Sequence, residues 1–203
     1  MKLKAVSDKI IVEKKKHEQV SEGGIIFLSP DKDMQHFEGT VVDVGSGNVI
    51  LGHLFPFEVK PKDKVLFVKH GGTELSVQGN DYVILKEQDI LAIIDENNEL
   101  IPIGDILLCE RCESIKETES GIIFSTKGLV QDKAKVLKKG KGRYTYNGKY
   151  EDFGIEEGEI VYFDSNRGIN VEWNHKKYFF LGMTTVIATS GVNENIEITN
   201  QIF

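Results

Sequence analysis

Gly24-Ile25-Ile26-Phe27 recurs 97 positions later as Gly121-Ile122-Ile123-Phe124. This internal repeat constrains the fold more than any other feature of the chain. Each copy follows an apolar run opened by an aspartate, Asp8-Lys9-Ile10-Ile11-Val12 and Asp105-Ile106-Leu107-Leu108-Cys109. The correspondence extends further. Val41-Val42 and Gly45-Ser46-Gly47 match Val136-Leu137 and Gly140-Lys141-Gly142, at an offset of 95. Val65-Leu66-Phe67, Tyr82-Val83-Ile84-Leu85 and Ile90-Leu91-Ala92 match Val161-Tyr162-Phe163, Tyr178-Phe179-Phe180-Leu181 and Val186-Ile187-Ala188, at 96. Such small shifts belong to surface loops, which tolerate insertions. Solenoid repeats run to roughly 20 to 50 residues. A period near 97 in a chain of 203 residues instead predicts two tandem domains of ordinary size, 1–97 and 98–203. The boundary falls in the polar run Asp95-Glu96-Asn97-Asn98-Glu99.

The apolar runs are short, rich in Val, Ile and Phe, and punctuated by Gly, Asn and Asp, which is the pattern of strands and turns. Strands are expected near 8–15, 38–44, 64–69, 73–77, 81–86 and 90–94. In the second copy they are expected near 105–111, 133–138, 159–164, 169–173, 177–181 and 185–189. Gly79-Asn80 and Asn147-Gly148 are hairpin-turn candidates, the latter of type I′ because both residues accept positive φ. The fold class is all-β, with two tandem small barrels or sandwiches. The polar stretch before each Gly-Ile-Ile-Phe cannot bury itself, so the apolar trio reads as a docking element. A buried strand is the plain alternative, and the polar flank and the duplication weigh against it.

The net charge of −7 divides as −4 over residues 1–97 and −3 over the remainder. There is no basic arm or acidic tail of the kind that marks a nucleic-acid partner. No stretch approaches 18 apolar residues, so no membrane span is expected. Met1-Lys2-Leu3-Lys4 lacks a signal-like apolar region. The expected location is cytoplasmic: the host cytoplasm if the chain is viral, a plastid if it is a mature form.

Taken in order, the first unit resembles a GroES-type co-chaperonin. The matching elements are Asp8-Lys9-Ile10-Ile11-Val12, Gly23-Gly24-Ile25-Ile26-Phe27, Gly39-Thr40-Val41-Val42-Asp43-Val44-Gly45-Ser46-Gly47, Lys62-Asp63-Lys64-Val65-Leu66-Phe67, Gly71-Gly72-Thr73-Glu74, and the run from Tyr82 to Ile93. The second unit is a divergent copy. It shows Arg167-Gly168-Ile169-Asn170 in place of the Gly-Gly-Thr-Glu turn, and Met183-Thr184-Thr185-Val186-Ile187-Ala188-Thr189 in place of the last strand. A tail, residues 190–203, has no counterpart in the first unit. It reads as an extra edge strand or as unstructured chain.

The resemblance implies two GroES-like β-barrels, each with a mobile loop and a roof hairpin, the hairpins at 49–59 and 144–150. It implies a non-enzymatic protein, without cofactor or metal, that self-associates into a ring. That ring caps an ATP-bound GroEL-type chaperonin and closes a chamber for protein folding. The chaperonin-binding residues it implies are Gly24, Ile25, Ile26 and Phe27, with Gly121, Ile122, Ile123 and Phe124. The divergent last strand puts the ring contacts of the second unit in question more than its loop.

Other motifs carry less. Cys109-Glu110-Arg111-Cys112 has no second cysteine pair to complete a structural zinc site, and Cys109 aligns with the core position Val12. Lys138-Lys139-Gly140-Lys141-Gly142-Arg143 beside Tyr144 and Tyr146 suggests an alternative function, a single-strand nucleic-acid-binding β-barrel. The overall negative charge opposes it. A relation to the catalytic domain of zinc-dependent alcohol dehydrogenases rests on fold analogy alone. Leu54, Phe55 and Phe57 are expected to be exposed on their hairpin, and Trp173, in place of Val77, is expected in the core.

Overall fold

The computed structural model describes residues 3–15, 36–50, 52–112, 131–145, 147–151, 153–164 and 166–191. Its contacts group them into two compact units, one of Met1–Gly104 with Gly140–Glu151, the other of Asp105–Lys139 with Asp152–Phe203.

The first unit contains β1 (Ile10–Lys14), β2 (His36–Val44), β3 (Asn48–Ile50), β4 (His53–Phe55), β5 (Lys64–Val68), β6 (Thr73–Val77), β7 (Asn80–Leu85), β8 (Ile90–Ile94) and β9 (Leu100–Pro102). Seven of these form one antiparallel sheet in the order β6-β7-β1-β2-β5-β8-β9, and β3 and β4 pair separately. β7 and β8 are joined by a single 3-10 turn, Glu87–Asp89, yet β1, β2 and β5 lie between them in the ladder. A turn that short joins strands that far apart only if the sheet curls until its ends approach, which is barrel closure. The core agrees. Ile10, Val12, Val41, Val65, Phe67, Val83, Leu85 and Ile90 form one buried cluster, with Ile10 and Val12, Val65 and Phe67, and Val83 and Leu85 set two residues apart, as one face of a strand requires.

The second unit contains β10 (Ile106–Arg111), β11 (Gln131–Lys139), β12 (Ile160–Asp164), β13 (Ile169–Trp173), β14 (Lys176–Gly182) and β15 (Val186–Ser190). Their order is β13-β14-β10-β11-β12-β15. The repeat survives in the register. Ile10 faces Leu85 as Leu107 faces Leu181. The irregularity at Ile11/Val12 returns at Leu108/Cys109, and the one at Leu66/Phe67 at Tyr162/Phe163. Cys109 and Trp173 are both buried, Cys109 within the second core. The fold is all-β, as the sequence predicts.

The turns correct the sequence reading in three places. Between β6 and β7 the positive-φ residues are Gln78 and Gly79, while Asn80 already belongs to β7, so the turn sits one residue before Gly79-Asn80. The equivalent turn of the second unit uses Asn174 and His175, both at positive φ. At Asn147-Gly148 only Gly148 has positive φ. The Gly148 amide donates to the Thr145 carbonyl at 3.0 Å and the Thr145 amide to the Lys149 carbonyl at 2.8 Å. The Asn147 side chain accepts from the Thr145 hydroxyl and from the Lys149 amide. This is not the type I′ turn expected, because Asn147 keeps negative φ and caps the turn with its side chain. Finally, the loss of Gly-Gly-Thr-Glu costs the second unit little geometrically. Gly72 and Gly168 both hold positive φ, and a Cβ on either would collide with the neighbouring strand, at the Ile84 carbonyl and the Phe179 ring respectively. The glycine the backbone needs is retained, while Gly71, Thr73 and Glu74 have become Arg167, Ile169 and Asn170.

Candidate docking loops and their supports

Gly24, Ile25, Ile26 and Phe27 lie outside the described residues, as do Gly121, Ile122, Ile123 and Phe124. The structure describes the two bases from which these segments depart and to which they return.

In the first unit β1 and β2 are antiparallel neighbours, with Lys14 opposite Gly39. The Lys15 amide donates to the Glu38 carbonyl at 3.0 Å. Residues 16–35 therefore leave and rejoin the sheet side by side. Two lysines close this base. Lys15 Nζ meets Glu38 at 2.7 Å. Lys14 Nζ meets Glu74 of β6 at 2.7 Å and stands 4.2 Å from the centre of the Phe37 ring. Phe37 in turn tilts against the core residue Phe67, ring centres 6.1 Å apart.

The second base has the same plan. The Cys112 amide donates to the Lys133 carbonyl at 3.0 Å, so residues 113–130 also begin and end on paired strands. Arg111 occupies the position of Lys14. Its guanidinium pairs with Asp132 at 2.5 Å and lies 4.1 Å from the centre of the Phe179 ring. Phe179 is stacked on Phe163 at 5.0 Å. In both units a cation at the end of the first strand ties a carboxylate and an aromatic face together. The planar guanidinium suits the stacked arrangement better than an ammonium. Sequence reasoning passed over Lys14 and Arg111. The signal was available: both lie two residues beyond a core position, Val12 and Cys109, at the same offset of 97.

Burial pushes the Cys109 thiol up to about 12, with Cys112 adding to the rise. At neutral pH it is a thiol in the core, without the thiolate character that reactivity demands.

A second cluster surrounds the β3–β4 hairpin. Val49 and Leu54 face each other across it and are 63% and 56% exposed. Phe55 is buried and Phe57 packs against the core, so of the three residues expected at the surface only Leu54 is there. Phe55 stacks on Tyr144 at 4.8 Å and Tyr144 on Tyr150 at 4.1 Å, which gives these aromatics a hydrophobic use. Beneath them Glu58 accepts from the Gly104 amide at 3.0 Å and pairs with Lys141 at 3.2 Å. Glu87 accepts from the Glu58 amide at 2.6 Å and from Asn48 at 3.3 Å. Burial raises the Glu87 carboxyl above its ordinary range, the Glu58 amide opposes the rise, and the Glu58 charge adds to it. Burial, then a hydrogen bond with Tyr144, raises the Tyr150 hydroxyl. The basic cluster read as a nucleic-acid patch is partly spent here: Lys141 on Glu58, and Lys139 on Glu156 at 2.8 Å.

Two copies of a small closed β-barrel, each interrupted at the same strand junction by a long segment on a clamped base, define a tandem loop-bearing barrel protein. The family model described as "Chaperonin 10 Kd subunit" matches residues 2–94 and again 99–190. The chain belongs to the chaperonin 10 family, twice over. The first relatives are single-unit proteins. A "Co-chaperonin GroES" of Geotalea daltonii is 43% identical over 97 residues, 47% of this chain and 100% of the relative. That of Geotalea uraniireducens is 42% identical over 97 residues, with the same coverage. One from Clostridium botulinum strain Eklund 17B is 37% identical over 95 residues, again 47% and 100%. The family is one of co-chaperonins rather than a catalytic class. Among the described residues no helix is long and apolar enough to cross a membrane.

Proposed function

We propose that this chain is a co-chaperonin that caps an ATP-bound GroEL-type chaperonin, in the cytoplasm, as a self-associated ring of barrels. The two Gly-Ile-Ile-Phe segments are its docking elements. The observation that carries this reading is the duplicated base. Lys14 and Arg111 brace equivalent strand junctions, and from each junction departs a segment with the same apolar trio. The two domains, 1–97 and 98–203, would each contribute one such element.

The energetics suit a reversible cap. Burying three large apolar side chains gives roughly 1.5–3 kcal/mol each. Ordering the polar residues that flank the trio offsets much of that gain. Each segment alone therefore binds weakly. Several acting from one ring bind tightly through effective concentration, and still release together when the chaperonin changes state.

The test mixes the protein with a chaperonin and ATP and scores end-capping by electron microscopy. Replacing Ile25-Ile26-Phe27 and Ile122-Ile123-Phe124 together with serine abolishes capping, and either trio alone weakens it. Normal capping by the double variant sinks the assignment.

A further inference from the structure

The segment Gly140–Glu151 belongs to the second repeat by sequence and to the first unit by contact. Charge fastens it there. Lys141 reaches Glu58 at 3.2 Å, and the Glu58 side chain is only 11% exposed. The other Glu58 oxygen accepts from the Gly104 amide at 3.0 Å. Glu87 accepts from the Glu58 amide at 2.6 Å. The two carboxylates thus share one corner of the unit, and the Lys141 charge bears on both.

Neither half of this arrangement recurs at the counterpart positions. On the receiving side, the offset of 96 carries Glu58 to Gly154 and Glu87 to Met183. The 3-10 turns Glu87–Asp89 and Met183–Thr185 keep the backbone shape and differ in charge. On the entering side, Lys141 corresponds to Ser46 at an offset of 95, and Gly104 to Ser7 at 97. There too the backbone is the same. The Gly142 amide donates to the Gly104 carbonyl at 2.9 Å, and the Gly47 amide to the Ser7 carbonyl at 3.2 Å. Gly104 and Ser7 hold positive φ, 56° and 53°. Gly140 and Gly45 press so close to those carbonyls that a Cβ on either would collide. The first repeat therefore presents the backbone surface of the segment seated on Glu58, with an exposed serine in place of the lysine.

Shape alone would let that surface, on a second copy, take the place of Gly140–Glu151. Charge separates the two. Ser46 brings no cation, so the Glu58 and Glu87 carboxylates would be covered while they repel each other, and like charges at a covered contact are costly. Selectivity comes as much from such a penalty on the wrong partner as from attraction to the right one. We infer that Glu58, Glu87 and Lys141 are a charge code that admits the chain's own Gly140–Glu151 to this corner and refuses the Ser46 surface of a second copy. The second copy enters through the self-association proposed above, whereas the code is read within one chain.

Hydrogen exchange on the full chain tests it, because Lys141→Ser gives the seated segment the residue of the first repeat. The Gly104 and Gly142 amides then exchange at least about tenfold faster, while β1 and β7 keep their protection. Adding Glu58→Gln and Glu87→Gln removes the charges that serine cannot answer and keeps an acceptor for the Gly104 and Glu58 amides. Most of the lost protection returns. Coupling of that sign separates a charge code from lost packing of the lysine stem. Exchange that Lys141→Ser leaves unchanged overturns the inference, and so does a loss that the triple variant fails to restore. Failure of the capping test with this exchange pattern intact would count against the chaperonin reading and not against the code.

Discussion

Lys14 and Arg111 stand at one position in two copies of a barrel, and each holds its segment base by a different balance of forces. The first base depends on charge: two lysines reach two glutamates, and the Glu74 partner is largely exposed, 70% for its side chain. The second concentrates its hold on one guanidinium laid over a stacked pair, Phe179 on Phe163. Exposed ion pairs contribute about 0.2–1 kcal/mol and weaken with salt. Stacking on a buried aromatic face, here Phe179, is less sensitive to salt. The two copies therefore reach the same geometry with different dependence on solution conditions.

The largest perturbation of this comparison comes from beneath the clamps. Phe67 and Phe163 are equivalent and inaccessible to solvent. Truncating either to alanine costs about 3–5 kcal/mol, and Phe163→Ala costs the more because it also removes the stacked partner of Phe179. Urea denaturation of the full chain measures both, and a larger loss from Phe67→Ala would break the comparison. Next come the clamps themselves. Arg111→Ala costs about 1–2 kcal/mol and Lys14→Ala about 0.5–1 kcal/mol. Raising the salt from low to high concentration narrows the Lys14 effect more than the Arg111 effect, and equal narrowing would show that both clamps are ionic.

The smallest effect concerns Glu87, which belongs to the first unit alone. Its carboxyl is raised above the ordinary range, chiefly by burial, so the native state holds the proton more tightly than the unfolded chain does. Stability from this group is gained as the pH falls through the native value, and at higher pH the ionised carboxylate is a cost. Glu87→Gln should flatten the dependence of the thermal midpoint on pH between the ordinary carboxyl range and the raised native value. An unchanged slope would mean that the Glu58 amide fully offsets the burial.

The strand plan was legible because its signals are local. The alternation in Ile10-Ile11-Val12, Val65-Leu66-Phe67 and Tyr82-Val83-Ile84-Leu85, and its return at a fixed offset, place nearly every ladder strand. What escaped was set by tertiary contact. β9 is three residues long, with Pro102 among them, and proline in a strand is tolerated at an edge. Only its partner β8 makes it a strand. Phe55 and Phe57 sit on a hairpin that looks solvated until Tyr144, some ninety positions later, covers it. The clamps were missed for a similar reason: Lys14 and Arg111 read as ordinary strand-end charges, and the rings beneath them come from other strands. The grouping of Gly140–Glu151 with the first unit has no sequence signature at all, since the repeat assigns those residues to the second copy.

That grouping bears on how the chain is made. During synthesis, chains fold as their segments emerge. The first barrel has all its ladder strands once Pro102 is out. Its Phe55 ring and Glu58 carboxylate then wait for Tyr144 and Lys141, which appear only after β10 and β11. The first unit is thus finished by chain synthesised in the middle of the second. A ribosome stalled between Lys139 and Glu151 would display a barrel already closed but still lacking its aromatic cover.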